Sequence, residues 1–141
     1  MGDELASANV NRSYSLAATS IAIFTFMLFF MYPRFQSGEI DGLLFQAALV
    51  VMGLVTFSFV FASFYYYCAS AGTQVDDVER ARHSRRADRF WLLGYSLLFL
   101  DPSLILFAIR LVVVAAAWLG LWLVFMLFVI RYFPKVQTVG Q

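Results

Sequence analysis

The chain has 141 residues, of which 62% are hydrophobic, 18% aromatic and only 13% charged, and its net charge is +1. A soluble domain carries about a quarter charged residues, and 16.0 kDa cannot bury this much apolar surface, so lipid must cover it. The small net charge gives no footprint for nucleic acid. A single cysteine, Cys68, excludes an intrachain disulfide and a cysteine-clustered metal site, and the lone His83 excludes a histidine pair within one chain. No metal or other cofactor is expected.

Residues 1–13 read as a polar tail (Asp3, Glu4, Asn9, Asn11, Arg12, Ser13) with too few apolar residues to build a core. Tyr14 to Tyr32 then offers 19 apolar-rich residues, the length a helix needs to cross hydrocarbon, with a tyrosine at each interface. Pro33 is expected to stop that helix. Residues 34–42 form a short polar connection in which Asp41 or Gly42 can cap the next helix. The second helix runs from Leu43 to about Cys68 and completes a first hairpin over 14–68. It ends in Tyr65, Tyr66 and Tyr67, read first as an interfacial aromatic belt and, more sharply, as a ligand or quinone platform.

Residues 69–89 make the one long polar connection, expected as a solvated Arg-rich loop and helix that runs on into the third span. Thr73 with Asp76, or Asp76 with Glu79, has the spacing of a capping box. Arg80, Arg82, Arg85, Arg86 and Arg89 could contact anionic lipid or a partner. The interleaved Asp76, Asp77, Glu79 and Asp88 make an ordinary solvated face the simpler reading.

From Phe90 to Ile130 there are only two charges, Asp101 and Arg110. A single helix of that length would reach roughly 60 Å, twice the hydrocarbon thickness, so the run must double back as a second hairpin over 90–133. Leu100-Asp101-Pro102-Ser103 holds the only turn chemistry and is the preferred bend, which makes Asp101 a helix cap and buries Arg110 two turns inside the last helix. A bend near Arg110 would divide the run more evenly and leave Asp101-Pro102 inside the third span. Either way one ionisable group lies in the membrane, paired with the other or with Glu39 or Asp41, or lining a water-filled pathway. Ala116 and Gly120 form a small-x-x-x-small pair suited to close helix packing, beside Trp118 and Trp122. Pro134 is expected to end the last helix, and residues 134–141 form a short tail.

The expected fold is an all-α polytopic membrane four-helix bundle built from two transmembrane hairpins. With both termini cytoplasmic, Arg12, the five loop arginines, Arg131 and Lys135 face inward and Arg34 faces outward, as the positive-inside rule prefers. No nucleophile elbow, zinc-protease motif or phosphate loop is present, which points away from an enzyme. The leading expectation is a homo-oligomeric ion channel or small transporter with Arg110 and Asp101 near the permeation path, where a ring of arginines would favour anions. The alternatives are a non-catalytic accessory or assembly subunit of a larger membrane complex, and a lipid- or quinone-binding module resting on the three tyrosines and the arginine cluster.

Overall fold

The computed structural model describes the backbone of residues 2–70 and 76–139 and the side chains of residues 7–70 and 76–131. It contains four helices: α1 (Gly2–Gln36), α2 (Gly42–Ser70), α3 (Asp77–Ala108) and α4 (Val112–Val139). Each is long and apolar enough to cross a bilayer, and together they make a multi-pass membrane protein. Neighbours run antiparallel. Phe35 meets Phe45, and at the far end of the same pair Ser63 Oγ donates to the Val10 carbonyl. Phe59 meets Tyr95 while Tyr66 meets Asp88. Both termini and the α2–α3 connection therefore share one end of the bundle, and the two tight turns share the other.

The core is a three-helix seam with α2 at its centre. Phe45, Ala48, Met52, Val55, Phe59, Ala62, Tyr66 and Ala69 follow one another at alternating steps of three and four, and all are buried. That is the heptad pattern of left-handed helix packing. On α1, Ser13, Ala17, Ser20 and Met27 continue it, the two serines donating to their own helix at Asn9 and Leu16 so that small side chains let the backbones approach. On α3 every seventh residue is buried: Ala87, Gly94, Asp101 and Ala108. Gly94 is required there, since a Cβ would come within 2.9 Å of the Phe59 ring.

None of the described α4 side chains belongs to the three buried clusters. It lies against α3 through two indole N–H groups, Trp118 Nε1 donating to the Phe99 carbonyl and Trp122 Nε1 to the Ser96 carbonyl, each at 2.9 Å. Ser96 Oγ donates to Met126 Sδ, and Phe99 packs on Phe125 with ring centroids 5.2 Å apart.

Both tight turns are closed by the same backbone device. At 37–41 the Glu39 amide donates to Arg34 and the Gly38 amide to Phe35, with Gly38 at φ 76°. At 109–111 the Leu111 amide donates to Leu106 and the Arg110 amide to Phe107, with Arg110 at φ 65°. These are Schellman closures, in which the left-handed residue caps the preceding helix. Asp41 Oδ1 then accepts from the Leu43 and Leu44 amides, confirming it as the α2 cap, and the Asp41 amide donates to the Ala108 carbonyl, joining the two turns.

The preferred bend at Asp101-Pro102 is thus corrected: the chain reverses at Ile109–Leu111, and Asp101-Pro102 lies inside α3. Length decides it. A bend at Asp101 would leave Phe90–Leu100 only about 16 Å long, half a bilayer. Arg89 and Arg110, by contrast, are 21 residues apart, as are Arg110 and Arg131, while Arg12 and Arg34 are 22 apart. Each interval spans about 32 Å of helix, close to the hydrocarbon thickness.

The prolines do not end helices either. Pro33 lies within α1, Pro102 within α3, and Pro134 within the described backbone of α4. Each costs one backbone hydrogen bond, which a helix gripped on other faces, or bathed in lipid, survives. The polar tail is likewise helical from Gly2, held by Val10 and Ser13 against α2 and by the Arg12 guanidinium over the Trp91 ring at 5.2 Å. At α3, Asp76 takes the N-cap position, its carbonyl accepting from the Arg80 amide, but its side chain makes no capping hydrogen bond. Thr73, the other half of one proposed capping box, lies outside the described residues.

Candidate functional site

Asp101 is the one acidic residue among the buried side chains of the described core, with 1% of its surface exposed. Its place follows from the α3 heptad, which turns the same face inward at Ala87, Gly94, Asp101 and Ala108. Along the helix it stands between two apolar clusters. Leu97 and Leu98 pack with Met52, Val55 and Phe59 on one side, while Leu104 and Ile105 pack with Phe45, Ala48 and Met27 on the other. Seven residues separate it from the end of α3 and twelve from Arg89, about 10 and 18 Å respectively, so it sits near mid-span. Neither carboxylate oxygen has a hydrogen-bond partner among the described residues.

The backbone beside it is also incomplete. Pro102 brings no amide, which leaves the Leu98 carbonyl without its usual i+4 donor. Ser103 Oγ donates to Leu100, and the two tryptophan indoles go to Ser96 and Phe99, so none of these bonds serves Leu98. One turn of α3 therefore holds a buried carboxylate and a carbonyl that lacks its usual i+4 donor. Oxygen donors of this kind, from a membrane carboxylate and an interrupted helix, suit a proton or a hard monovalent cation.

The other sequence-derived candidates fall elsewhere. Arg110 is exposed in the α3–α4 turn and makes no pair with Asp101, which corrects the expectation of a deeply buried arginine. Glu39 and Asp41 are exposed in the other turn. The three tyrosines divide over three surroundings: Tyr66 is buried and its hydroxyl donates to Asp88 at 2.6 Å, Tyr65 stacks on Phe90 and meets the His83 ring at a tilt, and Tyr67 is 60% exposed. Ala116 and Gly120 face outward, and no heavy atom lies within 4 Å of where a Gly120 Cβ would stand. Close approach within the chain is made instead at Gly94. Arg82, Arg85, Arg86 and Arg89 are exposed along α3, and Arg80 is half-buried.

The α2 heptad is written in the sequence as apolar residues at steps of three and four and the α3 repeat as Ala87, Gly94, Asp101 and Ala108 at steps of seven, and neither has the spacing of a small-x-x-x-small pair. No known protein family, curated protein or solved structure matches this chain.

Proposed function

We propose that this four-span membrane protein carries a proton or a small monovalent cation across the bilayer, with Asp101 as the carboxyl that takes it up and releases it. The supporting observation is a single one: a mid-span carboxylate, fully enclosed, with both oxygens unpartnered. An ionised group at the bilayer centre costs at least about 2.5–3.5 kcal/mol on insertion scales, and a chain that carries one without a protein partner gains most when a cation neutralises it. Pro102 supplies the second element, a break in the α3 ladder about which the helix can bend to expose the seam. Arg110, at the turn, acts in this reading as an interfacial anchor, and the selectivity is for cations.

The orientation belongs to the same proposal. Arg12, Arg80, Arg82, Arg85, Arg86, Arg89, Arg131 and Lys135 are eight of the ten cationic residues and cluster toward the end with the termini, against Arg34 and Arg110 at the turn end. That bias supports an arrangement with both termini in the cytoplasm.

The test is flux in proteoliposomes loaded with a pH-sensitive dye and, separately, with sodium or potassium indicators. Wild-type protein should dissipate an imposed proton or cation gradient faster than protein-free vesicles. Asp101→Asn should abolish that flux, Asp101→Glu should retain part of it, and Arg110→Gln should leave it unchanged. Folded Asp101→Asn protein with wild-type flux, or wild-type protein no faster than empty vesicles for all three ions, would sink the reading.

A further inference from the structure

The arginines in the first turns of α3 are the largest charged feature that transport by Asp101 leaves unused. Arg82, Arg86, Arg89 and Leu93 recur at steps of four, three and four, which puts them on one face of α3, and all four are exposed. That face borders a groove of about 350 Å³ lined by Tyr65, Arg86, Arg89, Phe90 and Leu93. Its wall is rigid and apolar: Phe90 stacks on Tyr65 at 5.6 Å with 10° between the rings, and packs on Phe61 at 5.5 Å.

The groove is graded along its length. Arg89 marks the start of the 21-residue interval of α3 that runs to Arg110 without another cation, Arg86 lies outside it, and Leu93 lies about 6 Å inside it. Cations thus meet the headgroup level while the same groove continues into hydrocarbon. The groove itself is lined by two arginines and no acid. Asp88 accepts the Tyr66 hydroxyl at 2.6 Å, on the side toward α2, and Glu79 lines a separate pocket at the outer end of the stripe with Arg82, His83 and Arg86.

We propose that the Tyr65–Phe90 groove binds an acidic phospholipid, with Arg86 and Arg89 on the phosphate and the acyl chain along Phe90 and Leu93. Two planar guanidiniums match phosphate oxygens, and basic grooves at the ends of membrane helices hold such headgroups. A free phosphate would have no use for the apolar wall below the arginines, which is why the lipid is the occupant. The inference stands independently of the transport reading.

The experiment places the full chain in nanodiscs of phosphatidylcholine doped with phosphatidylglycerol and counts retained lipid by native mass spectrometry after transfer to detergent. Phosphatidylglycerol should be retained in preference to phosphatidylcholine. In the double variant Arg86→Gln/Arg89→Gln that preference should fall roughly ten- to thirtyfold, the effect of two cations at a membrane surface. The control Arg34→Gln/Arg131→Gln removes the same charge away from the groove and should retain it. Circular dichroism checks folding, and should the groove double fail to fold, Arg86→Gln alone should give roughly a fivefold loss. Equal loss in both doubles, no preference in the wild type, or full displacement of the lipid by inorganic phosphate would overturn the proposal.

Discussion

The two tight turns at one end of the bundle have the same hydrogen-bond pattern and opposite chemistry. The α1–α2 turn puts glycine at the left-handed position and follows it with Asp41, whose carboxylate caps α2 through two amides. The α3–α4 turn puts Arg110 at the left-handed position and Leu111 where the cap should be, so α4 begins with no capping side chain from that residue. A left-handed conformation costs a residue with a Cβ about 1–2 kcal/mol, and a missing cap costs about 1 kcal/mol more. The second turn is therefore held by what surrounds it: the lengths of α3 and α4, and the Asp41 amide donating to Ala108. A favourable local sequence can make a turn, but a membrane span of fixed length can impose one.

That contrast can be broken at either end. The largest effect is expected from Gly38→Val. A Cβ at position 38 meets nothing within 4 Å, so the whole penalty is conformational, and stability should fall by about 1–2 kcal/mol in denaturant titration of the detergent-solubilised protein. Arg110→Gly should act in the opposite direction, raising stability by about 1 kcal/mol, because it gives the second turn the residue the first already has. A loss of stability would mean that the Arg110 side chain holds something the φ argument ignores. The smallest pair concerns the caps: Asp41→Ala should cost about 1 kcal/mol and Leu111→Asp should gain about 0.5 kcal/mol, read by the same titration.

The same comparison explains which parts of the molecule are legible in sequence. Four spans, their order and the Asp41 cap follow from apolar length and from a glycine and an aspartate placed where turn chemistry wants them. The second bend does not, because Arg110 gives no turn signal and Asp101-Pro102-Ser103 gives a strong one inside a helix. The three prolines mislead for a related reason. Rules learned from helices in water treat a lost backbone bond as a stop, whereas α1 and α3 carry Pro33 and Pro102 through because packing and span length outweigh it. Of the candidate site, Asp101 is visible as an intramembrane charge. Its seam is not visible until the seven-residue spacing of Ala87, Gly94, Asp101 and Ala108 is set against the run from Phe45 to Ala69 on α2.

The arginines that bracket α1, α3 and α4 at intervals of 21 or 22 residues amount to a ruler. A bilayer whose oily layer is markedly thinner than about 32 Å would force these rods to lean over, and a markedly thicker one would make the guanidiniums stretch outward, each at a fraction of a kcal/mol per ångström of misfit. Summed over three such rods, that misfit favours a bilayer whose oily layer matches the interval of about 32 Å.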